Sequence, residues 1–451
     1  MTSCVFFTAV LGCRSAPLPE EARAGATQRL GLVAPAAVAT STQGPRLASP
    51  LDAAQAVAFA LEHAPAAREA LAELGIERAD ALKSARISNP MVHGELRFSS
   101  DDTAVEVSLV QSLSGIIYGA ARHDAAVEEV HGAKEAAVGR LLDLARRVRR
   151  AHLAYRAELA RFGLIEAADA GGRARVEIAD ELHRVGNINA LRRDSEQAQS
   201  ESLALQRLDA GARVWAKRAS LAALIGASID EPWTVSAVLD PLPPEERLSQ
   251  LEDTALEQST MLRGARARRA SATSRAEVLG WQGALPELGA GIAVQREHGE
   301  TAVGPVVALA LPIFDQGRAE LARAEAESDK YRAAEEQAVL EVRAEAARVR
   351  AEIASTRARV TKLAEVLVPL RRRIVEGTIE QLNAMNASPF QLLDARQKEL
   401  ETQLAWVDAV EAYGEASIDL LHLLAGGSPA PTARAASAAP RAAEAAAGSA
   451  H

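Results

Sequence analysis

Hydrophobic positions along the chain follow two different periods, and the order of these periods occurs twice. Near Pro90 a helical pattern stops, and residues 91–98 and 104–111 then alternate apolar and polar side chains around a polar turn. About 200 residues later, after Pro286, residues 287–295 and 303–311 repeat this arrangement. Because alternation with a period of two is typical of strands, each half of the chain is predicted to contain one β-hairpin.

Each predicted hairpin is followed by a very long helical pattern. In residues 117–184 and 316–376, apolar or small residues recur at alternating steps of three and four, which predicts coiled-coil seams. At 1.5 Å per residue, a helix of about 60 residues is roughly 90 Å long. Gly186 and Gly377 interrupt the two patterns, so we predict helix-to-helix turns over Gly186–Asn189 and Glu376–Pro389, with these glycines at the tips. Pro369 is predicted to kink or widen the second helix.

The repeat predicts a mainly α fold with a small β part, built from a duplicated unit. The predicted segments are a lipoprotein signal (1–13), an extended tether (14–50), a first repeat with hairpin 91–111 (51–229), a proline-rich linker (230–247), a second repeat with hairpin 287–311 (248–426), and a disordered Ala/Pro-rich tail (427–451).

The first residues resemble a secretion signal that ends at Cys13. An apolar stretch leads into Val10-Leu11-Gly12-Cys13, which matches a bacterial lipoprotein box and would make Cys13 the lipidated mature N-terminus. The apolar stretch is short and no Lys or Arg precedes it, so an ordinary apolar N-terminus is the alternative. With Cys4 removed and Cys13 modified, no disulfide would remain.

Composition narrows the functional classes. The net charge is −9 and the sequence has no basic stripe interleaved with aromatic residues, which argues against a nucleic-acid-binding protein. No segment reaches the roughly 18–20 uninterrupted apolar residues that a transmembrane helix needs. If the chain spans a membrane, it does so with strands.

The strand pattern separates two faces. Val92, Leu96 and Phe98 alternate with His93, Glu95 and Arg97 in the first strand; Glu106 and Gln295 take the polar side of the second and third. One apolar and one polar face fits a membrane barrel wall, and the alternative is a pair of soluble hairpins packed on helices. Four strands cannot close a barrel, so a membrane location requires several copies of the chain.

Several segments in this order resemble the TolC-like outer-membrane efflux proteins. They are Leu51-Asp52-Ala53-Ala54-Gln55-Ala56-Val57-Ala58, Ile87-Ser88-Asn89-Pro90, Val307-Ala308-Leu309-Ala310-Leu311-Pro312-Ile313-Phe314-Asp315-Gln316-Gly317-Arg318, and the stretch from Leu382 to Gln397. The last stretch resembles a branch linked to heavy metals. The resemblance implies a homotrimer with a 12-stranded transmembrane β-barrel and a periplasmic α-helical barrel. Such a protein is the exit duct for an inner-membrane RND-type pump and a periplasmic adaptor, and it uses no cofactor and catalyses no reaction.

The resemblance also implies a periplasmic gate near the second helix turn. Asp394 matches one acidic gate position of the family, whereas Gln391 occupies the other; a surface helix residue is the alternative interpretation of Asp394. Glu95, Arg97 and Glu106 are the candidates for the barrel lumen. No metal-ligand spacing and no catalytic motif occurs in the sequence. A periplasmic or peripheral coiled-coil scaffold or adaptor without a pore remains the alternative function.

Overall fold

The structure, a computed structural model, describes residues 17–32, 47, 49–98, 103–239, 248, 250–284, 287–297, 300–310 and 317–429. The chain forms two compact units. The sheet unit comprises Met1–Ala26, Arg68–Leu141 and Thr260–Val339, and the helix unit comprises Thr27–Ala67, Leu142–Ser259 and Leu340–His451.

Helices and strands follow the predicted order. They are α1 (Pro19–Arg29), α2 (Ala53–His63), α3 (Pro65–Ser84), β1 (Met91–Phe98), β2 (Thr103–Ser112), α4 (Leu113–Ile117), α5 (Gly119–Arg184), α6 (Ala190–Ile225), α7 (Leu251–Gln258), α8 (Thr260–Ala284), β3 (Glu287–Glu297), β4 (Glu300–Ala310), α9 (Arg318–Lys362), a π-helical segment (Leu363–Leu367), α10 (Val368–Asn383) and α11 (Pro389–Leu424). The prediction of a mainly helical chain with two hairpins is confirmed.

The two hairpins join in one antiparallel sheet of the order β1-β2-β3-β4. Leu109 of β2 lies opposite Val92 of β1 and Ile292 of β3, so the central pairing β2–β3 connects the two halves of the repeat. Pairing of Ile292 with Pro305 continues the register into β4.

The helix unit is held by the predicted seam of α9. Val342, Val349 and Ile353 are buried in one cluster with Val410 and Tyr413 of α11. These positions recur at steps of three and four, and their burial confirms the coiled-coil pattern. The π-helical segment lies directly before Pro369, where the missing N–H of proline interrupts the helical hydrogen-bond ladder, so the predicted widening is also confirmed.

The linker between the repeats is anchored in the helix unit by Trp233. The indole is 1% exposed, and Tyr155 packs edge-on against it with ring centroids 5.9 Å apart. The guanidinium of Arg218 lies 4.2 Å from the Trp233 ring centroid and donates to the carbonyl oxygens of Trp233 and Glu231, each at 2.7 Å. The backbone N–H of Leu51 donates to the carbonyl of Thr234 at 2.7 Å. The linker thus fixes the start of the first repeat.

Trp233→Ala is expected to destabilise the helix unit by about 3–5 kcal/mol, because it leaves a large cavity and removes the stacking surface of Arg218. Thermal unfolding followed by circular dichroism measures the effect. Trp281→Ala is the matched control, since Trp281 is 67% exposed. Equal losses of melting temperature in the two variants would contradict the anchoring role.

The prediction of an extended tether over residues 14–50 is wrong for Pro19–Arg29, which forms α1. Ala22 and Ala26 are fully buried, and Glu21 accepts a 3.0 Å hydrogen bond from Lys134 of α5. Small side chains allow this short helix to pack closely, which its composition alone did not reveal. Cys13 and residues 430–451 lie outside the described residues. In the described part of the chain, no helix has the length and apolarity required to cross a membrane.

Candidate functional site

Two helix-to-helix turns in the helix unit share one backbone design. In the first, Gly186 adopts a left-handed conformation (φ 77°), and the N–H of Asn187 donates to the carbonyl of Leu182 at 2.8 Å. In the second, Met385 is left-handed (φ 60°), and the N–H of Asn386 donates to the carbonyl of Gln381 at 2.8 Å. This bonding pattern satisfies the last carbonyls of each helix. The turns are therefore equivalent products of the repeat.

The second turn lies within the predicted segment 376–389, but the choice of Gly377 as its tip is wrong, because Gly377 lies inside α10. Glycine adopts the left-handed conformation at helix ends more readily than other residues. Because Gly377 is the glycine in this part of the sequence, it was predicted to be the tip of the turn. The turn instead places Met385, a residue for which this conformation is uncommon, at an almost fully exposed position. Gly186 is confirmed at the first turn.

A buried arginine close to these turns joins the two helical hairpins. Arg175 of α5 donates to Glu196 of α6 at 2.8 Å and to Asp394 of α11 at 3.0 and 3.1 Å. Arg175 and Glu196 are both buried, whereas the side chain of Asp394 is 56% exposed. Burial alone would lower the pKa of Arg175, but its hydrogen bonds with Glu196 and Asp394 outweigh this and raise the pKa. The cation is thus permanently charged and doubly paired.

The pairing has an asymmetry that permits separation. If α11 moves away, Arg175 keeps its buried partner Glu196, so no buried charge is left alone. The pair that breaks is the one with Asp394, whose carboxylate is half-exposed and can therefore be solvated by water after separation. Arg192 adds a second exposed contact between the hairpins, since its guanidinium lies 4.8 Å from the Phe390 ring centroid. We call the cluster of Arg175, Glu196 and Asp394 the latch.

The latch is the last of three arginine–aspartate pairs between α5 and α11. The others join Arg161 to Asp408 and Arg150 to Asp419, each at 2.7 Å. The number of residues between successive arginines is the same as the number between their aspartate partners, but the aspartates follow in reverse order along the chain. Helices α5 and α11 are therefore antiparallel and keep one register over all three pairs. Arg175 and its partner Glu196 were not identified from sequence. The matched spacing of arginines and aspartates in distant segments was the available signal.

The second predicted gate residue has a different role from Asp394. The side-chain oxygen of Gln391 accepts from the N–H of Ser388 at 2.8 Å, and the hydroxyl of Ser388 accepts from the N–H of Gln391. Gln391 therefore forms a capping box that begins α11 directly after the turn.

The sheet carries a mainly apolar face, on which Arg296, opposite Val105 near the end of β3, is the one charged residue of the described strands. The strand register places on it Val92, Leu96, Phe98, Val105, Val107, Leu109, Ile292, Val294, Val303, Val307 and Leu309, all of which are exposed. The register of β4 with β3 assigns Val303 and Val307 to this face. Eleven large apolar side chains on one exposed surface far exceed the scattered apolar exposure of an ordinary soluble domain.

The opposite face of the sheet is polar or small and brings the predicted lumen residues together. Arg97 donates from Nε to Oε1 of Glu95 at 2.8 Å, and its Nη2 lies 3.8 Å from Oε2 of Glu106. Glu95 and Glu106 are directly opposite in the register, so Arg97 offsets their mutual repulsion. Gln295 lies opposite Glu106 on the next strand. Met91, Val110 and Val306 are the larger apolar residues of this face.

Metal binding finds no geometric support in the described residues, where no group of three or more His, Cys, Asp or Glu side chains is arranged to hold an ion.

Known structures share this architecture. No family model and no curated protein matches the chain. The outer-membrane protein VceC from Vibrio cholerae superposes with a TM-score of 0.69 at 17% identity, covering 83% of this chain and 96% of VceC. The Neisseria gonorrhoeae outer-membrane channel MtrE gives 0.64 at 17% identity over 83% and 88% of the two chains. CusC, which forms a transmembrane channel, gives 0.67 at 14% identity over 86% and 99%. The chain has the fold of the TolC-like outer-membrane channels, as the sequence motifs predicted.

Proposed function

We propose that this protein is the outer-membrane exit duct of a tripartite efflux system and conducts its cargo passively. The observation that carries this proposal is the exposed apolar face that crosses all four strands, opposite a face of polar and small residues. In a bilayer the first face contacts lipid and the second borders water. A periplasmic scaffold does not contact lipid, so it would not need an exposed apolar sheet face.

The sheet supports an assembly of several copies. In the order β1-β2-β3-β4, the outer strands β1 and β4 each have one edge without a partner strand in the sheet. Unpaired backbone groups are not tolerated in the hydrocarbon region of a bilayer, so β4 of one copy pairs with β1 of the next. Three copies give a barrel of twelve strands, the number that the family resemblance implies. The helix units of the same copies then surround a periplasmic passage.

The position of α1 supports lipidation at Cys13. Glu21 bonds to Lys134, and Gly25 lies against Val138, so α1 runs parallel to α5 with its first residue towards the sheet end of that helix. The part of α5 that lies beside Pro19 is about 20 Å, measured along the helix axis, from the first residue of α5. Six residues, from Cys13 to Pro19, extend over up to about 20 Å. This length of chain is sufficient for a lipidated Cys13 to insert its acyl chains into the proposed membrane.

The latch around Arg175 closes the periplasmic end in the proposed function. Opening moves the α10–α11 hairpin away from α5–α6 and breaks the Arg175–Asp394 pair while Arg175–Glu196 persists. Such low-cost separation suits a gate that a partner must open. The proposed partners are a periplasmic adaptor and an inner-membrane RND-type pump. Heavy-metal cations are one candidate cargo, based on the resemblance of residues 382–397.

Membrane fractionation distinguishes the proposed exit duct from the alternative function, a periplasmic or peripheral coiled-coil scaffold. We expect the protein to remain in the outer-membrane fraction after washes with high salt and with alkaline carbonate, because apolar strand faces hold it there. A soluble periplasmic protein expressed in the same cells is the washing control. Release of the protein into the supernatant by either wash would favour the coiled-coil scaffold.

A further inference from the structure

A cleft of about 610 Å³ lies between α5, α10 and α11 in the helix unit, beside the latch. Ala167 and Gly171 of α5 form one wall, and Gly171 is about one helical turn from Arg175. The opposite wall belongs to α10 and α11 and includes Leu393, which precedes Asp394 in the chain. The cleft therefore lies between the same two helical hairpins that the latch joins, and its volume is typical of sites for small molecules.

Two adjacent glycines of α5 have different roles at this cleft. A Cβ atom on Gly172 would lie 2.9 Å from the side chain of Leu203 and 3.3 Å from that of Ser200, so this glycine permits close packing of α5 against α6. A Cβ atom on Gly171 would meet no atom within 4 Å. Packing within the described chain therefore does not require Gly171, and its missing side chain leaves the cleft open on the α5 side.

The inner surface of the cleft is apolar. Val375 of α10 is 1% exposed, and Leu393 and Leu400 of α11, which also line the cleft, are partly buried. Ala167 adds a methyl group from the α5 side. Displacement of water from such side chains is favourable, and it is the main source of affinity in small-molecule sites. A ligand of this cleft therefore needs an apolar body.

The charged groups at the cleft favour an anion. Nη1 of Arg396 donates to Glu399 at 3.0 Å, so this buried carboxylate is already neutralised, and Arg396 has further N–H groups available. Arg372 also lines the cleft, and no member of the run Arg371–Arg373 has an ion-pair partner among the described residues. Glu376 is the one lining carboxylate without an ion-pair partner in the described part of the chain. Two available guanidinium groups, with two further arginines adjacent, thus outweigh one available carboxylate.

We propose that this cleft binds an organic anion that has an apolar body and one carboxylate or sulfonate group. Arg372 and Arg396 bind the anionic group, and the body packs between Gly171 on one side and Val375 and Leu393 on the other. Because a ligand in this position contacts α5 as well as α10 and α11, it stabilises the arrangement in which the latch is joined. This effect on opening rests on the proposed function, whereas binding to the cleft does not.

Isothermal titration calorimetry of the full-length protein in a non-ionic detergent tests binding, with naphthalene-2-sulfonate as the probe. Gly171→Leu fills the cleft. Its matched control is Gly163→Leu, since Gly163 lies in the same helix with open space around it but does not line the cleft. Arg372→Gln removes one guanidinium group, and Arg373→Gln is its control. We expect a roughly tenfold or greater loss of affinity in Gly171→Leu and Arg372→Gln, and a change of less than about twofold in the two controls.

Titration of detergent micelles without protein corrects for partitioning of the probe, and circular dichroism shows whether each variant is folded. Absence of saturable binding to the unmodified protein would overturn the site. Unchanged affinity in Gly171→Leu would overturn it as well, and Arg372→Gln gives the same test if Gly171→Leu does not fold. Naphthylmethylammonium, a cation with the same ring system, is expected to bind at least roughly tenfold more weakly. Equal affinity for the cation would overturn the preference for an anion.

Single-channel recording in planar lipid bilayers tests the effect on opening. The probe is expected to lower the open probability of the unmodified channel by at least roughly threefold and to leave that of Gly171→Leu unchanged. Binding without a change in open probability would overturn the closing effect and leave both the site and the duct standing. A protein that binds the probe but conducts no ions would overturn the proposed function together with the closing effect, and leave the binding site standing.

Discussion

Val107→Arg is expected to abolish insertion of the protein into the outer membrane. Val107 lies in the middle of β2 on the exposed apolar face, opposite Gly94 and Val294. An arginine at the centre of a bilayer costs about 2–4 kcal/mol on the lipid face of a barrel, and in three copies this is about 6–12 kcal/mol per assembly. Western blotting of outer-membrane fractions measures the amount of inserted protein, which we expect to fall at least tenfold.

Ser108→Arg is the matched control for this substitution. Ser108 is the next residue of β2 and lies on the polar face, opposite His93 and Ala293. An arginine there borders water in the proposed barrel, so insertion is expected to change little. Equal insertion of Val107→Arg and Ser108→Arg would contradict the assignment of the two faces, because both introduce an arginine at the middle of β2 but on opposite sides of the sheet.

Asp394→Arg is expected to open the periplasmic end. The substitution places a second cation next to Arg175, so an attractive pair becomes repulsive while Glu196 still neutralises Arg175. A destabilisation of the closed state by about 1.4 kcal/mol per copy already shifts the equilibrium tenfold, and the three copies act on one gate. We expect at least a roughly tenfold increase in open probability in single-channel recordings in planar lipid bilayers. Cells that carry the variant should also become sensitive to large antibiotics.

Two further variants separate latch release from a general effect of charge. Asp394→Asn should give a smaller increase, because it removes the attraction without adding repulsion. Lys398→Glu reverses an exposed charge four residues further along α11 and is expected to leave the closed state intact. If Asp394→Arg conducts no more than the unmodified protein, Arg175 and Asp394 do not hold the gate closed.

Periodic features of this chain were predictable from sequence because packing enforces them directly. The seam through Val342, Val349 and Ile353 appears as steps of three and four, and the hairpins appear as alternation. The π-helical segment before Pro369 follows from the missing proline N–H. Such features depend on neighbours along the chain, so the sequence contains them locally.

Features that depend on distant partners were missed or misplaced. The second turn lies at Met385 because its hydrogen bonds and the capping box of Ser388 fix it there, although no glycine marks the position. Arg175 became a candidate only when Glu196 and Asp394, from two other helices, were seen to meet it. The helix α1 forms because alanines fit against α5, which a composition rich in Ala, Pro and Ser did not reveal.

The central claim is that three copies of this chain surround one water-filled passage, and single-particle electron microscopy of the detergent-solubilised protein tests it most directly. The predicted result is a particle with threefold symmetry, in which each copy contributes the strands β1 to β4 to one closed wall around a continuous cavity. A single chain in its micelle, or an assembly whose apolar strand faces point inward around no cavity, would contradict it.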